Sequence, residues 1–208
     1  MSFSWLPHFH HKDIEILDIS EIFKGYHFIH KYNIRYKMFQ GGQSQIVQRE
    51  LVVKPPFVAV LLFDPLLEKI VMVEQIRIGA LGHGISPWLL EPVAGVIDAG
   101  ETPLQAAARE TMEESGCTLL DAILINQYFP SPGTSNEETF LYCGRIKAPE
   151  SSTLQGVLAE DEDIKTHIID LQDAFHLLES GKLSNAAAII AIMWLKENKA
   201  KLQDLWNN

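Results

Sequence analysis

The stretch FVAVLLFD, residues 57 to 64, is apolar at every position except the last. A strand with one wet face alternates apolar and polar residues, whereas an unbroken apolar run suits a strand covered on both faces. Asp64-Pro65 turns the chain, and KIVMVEQIRI (69 to 78) follows as a second strand. Two such neighbours require further layers above and below one sheet. LLEPVAG (89 to 95) reads as a short strand ending at a glycine. DAILINQYF (121 to 129) and TFLYCGRI (139 to 146) read as strands around the loop PSPGTSNEE, and KTHIID (165 to 170) as the last strand. A helix is expected over 102 to 116, and two more close the chain at roughly 171 to 180 and 185 to 206. The order β, β, β, α, β, β, β, α, α predicts an α/β fold, a mixed sheet with helices on both faces.

Ahead of this lies a different pattern. YHFIHKYNIRYKMF (26 to 39) places Phe28, Tyr32, Ile34, Tyr36 and Met38 on even positions, the period of a half-buried strand. GGQ (41 to 43) is a turn, and SQIVQREL (44 to 51) pairs as a returning strand. Residues 1–50 are therefore read as a small N-terminal β annex, and 51–208 as the main domain.

The chain carries 17 Lys+Arg against 27 Asp+Glu in 208 residues, a net charge of −10. Such an acidic protein is a poor general binder of nucleic acid, whose phosphates need clustered Lys and Arg. It acts on a phosphate ligand only with divalent cations or a few placed arginines. The N-terminus has no apolar signal-peptide core, and the longest apolar run, AAAIIAIMWL (186 to 195), is too short to span a bilayer. Two cysteines make no disulfide framework. The expectation is a cytoplasmic protein without nucleic-acid or membrane partners.

The chemistry concentrates in ARETMEESG, residues 108 to 116. Thr102 is a good N-cap, Pro103 fits the first helical position, Gln105 completes a capping box and Gly116 is a natural C-terminal stop. Leu104, Ala108 and Met112 recur at i, i+4, i+8 and are expected to form the buried stripe. Glu110 and Glu114 lie one turn apart with Glu113 beside them, in the half of the helix where the macrodipole disfavours anions. One explanation is a solvated acidic face with Arg109 in a surface ion pair. The other is a set of oxygen ligands for a hard cation, Mg²⁺ or Mn²⁺. The preceding loop, GVIDAGE, brings backbone carbonyls near the same place.

The full spacing is Gly95, five residues, Glu101, seven residues, Arg109-Glu110, two residues, Glu113-Glu114, one residue, Gly116. It resembles the Nudix hydrolase signature at every charged and glycine position. Thr111 and Cys117 depart from it, standing where the family usually has an aliphatic residue. Pro132, fifteen residues beyond Cys117, resembles the proline loop of the ADP-ribose pyrophosphatase branch, although Thr134 replaces a frequent second glycine. EQIR (74 to 77), WLLEPVAG (88 to 95), EDEDI (160 to 164) and SNAAAIIAIMWL (184 to 195) share the resemblance.

This resemblance implies a Nudix α/β/α sandwich, a homodimer built with the N-terminal strands, and cleavage of ADP-ribose to AMP and ribose 5-phosphate with two or three Mg²⁺ (or Mn²⁺) per site. It implies Glu110, Glu114, the Ala94 carbonyl and Glu162 as metal ligands, with Glu113 a ligand through water or an orienting group. Glu160 is the implied general base, with Glu162 and Glu113 as alternatives for that role. Gly95, Glu101, Arg109 and Gly116 match positions that shape the loop and helix. Arg77 resembles a diphosphate contact, or else pairs with a neighbouring carboxylate. Tyr26, Arg49 and Glu50 resemble substrate contacts, with Tyr26 stacking on adenine across the dimer or serving only as core. Gly133 and Glu137 resemble terminal-ribose contacts. Two other readings stay open: a pyrophosphatase for another nucleotide sugar such as GDP-mannose, and a Nudix module that binds ADP-ribose without cleaving it. The presence of Glu110, Glu113 and Glu114 weighs against the second.

Overall fold

The computed structural model describes residues 5–156 and 162–206. The chain forms two compact units, Met1–Pro55 with Ser131–Glu137, and Pro56–Pro130 with Glu138–Asn208.

The first unit is an antiparallel three-stranded sheet of β1 (Ile14–Lys24), β2 (Phe28–Tyr36) and β3 (Val47–Val53), in that order. The alternating stretch forms β2, but β1 has no counterpart in the strands expected from sequence. Its apolar residues fall at 14, 16, 17, 19, 22 and 23 because irregularities at Ile16/Asp18 and Glu21/Phe23 reset the phase. Met38, expected on the β2 face, lies beyond the strand end and is exposed. Among the described residues of this unit only Ser44 is buried. The segment 131–137 is tied to β3 through Val52 N–H donating to Thr134 O (2.8 Å) and Lys54 N–H to Asn136 Oδ1 (2.8 Å).

The second unit is built on β4 (Phe57–Asp64) and β5 (Lys69–Ile76), followed by β6 (Trp88–Glu91) and β7 (Val93–Val96). Then come α1 (Pro103–Ser115), β8 (Asp121–Tyr128), β9 (Thr139–Arg145), β10 (Leu154–Gln155), β11 (Ile164–Asp170), α2 (Leu171–Glu179) and α3 (Ala186–Trp206). The sheet runs β10-β11-β5-β4-β9-β8, with β6 on β5 and β7 on β4. It is mixed, since β4 and β9 are parallel while the other pairs are antiparallel. The apolar run that fixed the expectation is covered on both faces. Val58, Val60 and Leu62 pack with Ala106 and Ala107 of α1. Ala59, Leu61 and Phe63 pack with Ala188, Ala191, Ile192 and Leu195 of α3. The layers are those of an α/β/α sandwich.

Two sequence expectations change here. The single strand over 89 to 95 is two strands broken at Pro92, which has no N–H for a ladder, and each half pairs with a different neighbour. The buried face of α1 is also different. Leu104 and Met112 are 50% and 49% exposed, and Ala108 is exposed as well. Ala106, Ala107, Thr111, Glu114 and Ser115 face inward instead. Small side chains let α1 approach the sheet closely, and its buried face carries a carboxylate. Among the described residues no helix is long and apolar enough to cross a membrane.

Candidate active site

The site begins at the ends of α1. Thr102 Oγ1 accepts from Gln105 N–H, and Gln105 Oε1 accepts in return from Thr102 N–H (2.8 Å). Gly116 closes the helix in the left-handed region (φ 67°), its N–H donating to Met112 O. Both ends being fixed, the positions of Arg109, Glu110, Glu113 and Glu114 are fixed with them.

Arg109 gathers the loop onto the helix. Its Nε and Nη2 donate to the two oxygens of Glu101 (3.0 and 2.9 Å), and Nη2 also donates to Val96 O (3.0 Å). Its Nη1 donates to Glu110 Oε1 (2.6 Å) and Glu113 Oε2 (3.1 Å). Glu101 accepts in addition from Asp98 N–H (3.1 Å). The guanidinium beside it holds the Glu101 carboxyl below its ordinary range.

Gly95 makes room for Glu110. A Cβ at this position would lie 1.9 Å from Glu110 Oε1, so any side chain would displace the carboxylate. Glu114 goes deeper and is 2% exposed. Its Oε2 accepts from Ala94 N–H (2.8 Å), and its Oε1 faces Gln75 Nε2 at 3.4 Å. Burial, reinforced by the charges of Glu110 and Glu162, pushes its carboxyl up to about 8, against the opposing effects of Ala94 N–H and Arg77. Glu110 is also raised, chiefly by burial, even though Arg109 touches it; Glu113 and Glu162 add to the rise. Glu162 therefore faces this cluster from the stretch before β11. Glu160 lies outside the described residues.

A divalent cation fits this donor set. Glu114, buried, and Glu110, half-buried, are both held above their ordinary range by burial and by neighbouring carboxylates, against the opposing charges of Arg77 and Arg109. A cation between them would reverse both effects, and hard cations take carboxylate oxygens. Among the described residues no three metal-ligating side chains already converge into a cage. Glu110 is drawn to Arg109 through Oε1 and Glu114 to β7 through Oε2.

The other residues singled out in the sequence divide between the two units. Arg77 belongs with the carboxylates: its charge lowers Glu114, and its Nε donates to Glu91 Oε2 (2.8 Å). Tyr26, Arg49, Glu50, Gly133 and Glu137 belong to the first unit. Tyr26 sits in the turn after β1 rather than in a strand, 94% exposed, edge-on to the His27 ring. Arg49 and Glu50 are exposed on β3, opposite Tyr32 and Lys31 of β2. Gly133 is exposed in its loop, while Glu137 is paired with Lys54. Gln75, Glu91 and Asn185 lie inside the resembling segments, where the sequence assigns them no role. The available signal was a polar residue inside an apolar strand, as in VEQI and WLLE.

The NUDIX domain family matches residues 53–191. An ADP-ribose pyrophosphatase of Haemophilus influenzae is 36% identical over 98% of this chain and 95% of its own length. An ADP-ribose pyrophosphatase of Escherichia coli is 34% identical over 93% of each chain. A crystal structure of an ADP compounds hydrolase superposes with a TM-score of 0.67 at 20% identity, covering 89% of this chain and 96% of that one.

Proposed function

The chain belongs to the Nudix family, and we propose that it hydrolyses the diphosphate of ADP-ribose to AMP and ribose 5-phosphate. The observation that carries this reading is the Glu110–Glu114 pair on α1, half-buried and buried, held by Gly95, Ala94 and Arg109 and faced by Glu162. The names of the two relatives that match nearly the whole chain supply the substrate.

Glu110 and Glu114, with Glu162 and the Ala94 carbonyl, are the groups assigned to divalent cations. When bound, two or three Mg²⁺ (or Mn²⁺) supply polarisation of the phosphorus, a lowered pKa for the attacking water and neutralisation of the leaving phosphate. Glu160 is assigned the proton of that water, with Glu113 orienting through its own hydrogen bonds. Arg77 takes the diphosphate. Tyr26, Arg49 and Glu50 are assigned to the adenosine side of the substrate, and Gly133 and Glu137 to the terminal ribose. The extreme exposure of Tyr26 supports a ring available for stacking on a base.

The working form is a homodimer joined through the N-terminal strands. A three-stranded sheet with no buried apolar face among its described residues is marginal alone, and Ile16, Ile19, Ile22 and Phe23 of β1 stand exposed. Ile16→Glu is expected to halve the particle mass in light scattering; an unchanged mass would remove β1 from the interface. Both cysteines are free and buried, which supports a reducing cytoplasm.

The test is product analysis with Mg²⁺ and a panel of ADP-ribose, ADP-glucose, GDP-mannose and diadenosine polyphosphates. AMP and ribose 5-phosphate formed fastest from ADP-ribose support the proposal. Preference for GDP-mannose keeps the carboxylate site and discards the substrate. ADP-ribose bound and left intact makes the protein a binding module.

A further inference from the structure

Glu91 on β6 is a carboxylate with 3% exposure. A charge that deep persists only with partners, and Glu91 has one for each oxygen. Arg77 Nε donates to Oε2 at 2.8 Å, and Asn185 Nδ2 donates to Oε1 at 2.8 Å. Asn185 is itself fixed at the start of α3, where its Oδ1 accepts from Ala188 N–H (3.0 Å). A chain of hydrogen bonds thus runs from the N-terminus of α3 to the Arg77 guanidinium.

The arm that Arg77 uses matters. An arginine facing a lone carboxylate closes a two-pronged pair, giving up Nε and one Nη together. Here Asn185 donates to Oε1 and Arg77 reaches Oε2 through Nε alone, so the pair with Glu91 is one-armed. Among the described residues the two Nη groups of Arg77 make no hydrogen bond, and its side chain keeps 40% of its exposure. Its charge reaches Glu114, so it faces the carboxylate cluster. A guanidinium pinned by Nε with both Nη groups open presents the planar fork that matches two oxygens of a phosphate.

We propose that Glu91 and Asn185 are positioning residues, which hold Arg77 by Nε alone and keep its Nη fork open for the diphosphate of the substrate. This rests on the reading of Arg77 and of the substrate given above. Loss of the Asn185 donor frees Oε1 of Glu91 to take a second nitrogen of Arg77, turning the fork away from its ligand.

Asn185→Ser separates this role from a structural one. Serine still caps α3 but is too short to reach Glu91. The expected result is a KM for ADP-ribose raised about tenfold, with kcat and the Mg²⁺ activation midpoint nearly unchanged. Glu91→Gln is expected to raise KM in the same direction. The deciding measurement is a double-mutant cycle. In an Arg77→Ala background, Asn185→Ser is expected to cause no further rise in KM. Full additivity of the two effects, or an unchanged KM in Asn185→Ser when Arg77→Ala raises it, overturns the proposal. An unchanged KM in Arg77→Ala overturns it too, while leaving hydrolysis itself intact. Absence of any nucleotide-sugar cleavage by the unaltered protein would instead sink the functional reading, and this inference with it.

Discussion

The strands β4 and β1 differ in one respect that governs the rest. Every residue of β4 after Phe57 is buried, with one face against α1 and the other against α3. In β1 every residue is exposed or half-exposed. The first strand belongs to a unit that buries carboxylates and holds them with named donors. The second belongs to a unit whose polar groups meet water. A buried site is sensitive to single atoms because its charges have no solvent to fall back on. An exposed sheet tolerates change, and its demands come from whatever covers it.

The sharpest way to break this contrast is at Glu114. Glu114→Gln keeps shape and burial but removes the ability to ionise for a cation, and is expected to lower turnover roughly a thousandfold with the fold intact. Unchanged turnover at saturating Mg²⁺ would place the chemistry elsewhere. Gly95→Ala comes next. Its methyl occupies the space of Glu110 Oε1, so turnover should fall about a hundredfold, with circular dichroism near that of the unaltered protein. Normal activity would mean that Glu110 can work from another position.

The third prediction concerns stability. The Glu114 carboxyl titrates near 8 in the folded protein against an ordinary value of 4.5. Between these values the folded state holds a proton that the unfolded state has lost. The stabilisation is complete below pH 4.5 and disappears as pH rises toward 8. In chelator, Tm should therefore fall by about 5 °C or more between pH 5 and 8, and Glu114→Gln should flatten that slope. A metal-free Tm that rises over this range contradicts the burial argument. The smallest effects are expected at two hydroxyls. Thr102→Ala removes the α1 cap, and Ser44→Ala removes the acceptor of Tyr36 N–H; each should cost about 1 kcal/mol in denaturant melts. Only the first should also reduce turnover. Equal loss of activity in both would erase the difference between the two units.

Much of this was legible in the sequence, for identifiable reasons. The apolar run 57–64 was readable as a strand covered on both faces because it has no polar side to turn to water. Both caps of α1 were readable because a cap is local chemistry. Its buried face was not. Leu104 and Met112 are the larger apolar residues, but the helix turns Thr111 and Glu114 inward with the small Ala106, Ala107 and Ser115, which let α1 sit close to the sheet. β1 escaped because two irregularities reset a period-two pattern that is otherwise readable. The partners Gln75, Glu91 and Asn185 lie 39, 14 and 94 positions from the residues they hold or meet, Glu114, Arg77 and Glu91. Only folding puts such pairs side by side.

The most direct test of the central claim is calorimetry of Mn²⁺ binding at pH 7 in buffers of differing ionisation enthalpy. A Glu114 carboxyl near 8 is protonated at that pH before the cation arrives. The account predicts that binding releases close to one proton, and that Glu114→Gln abolishes both the release and most of the affinity. Mn²⁺ bound equally well by Glu114→Gln, or bound by the unaltered protein without proton release, would contradict it.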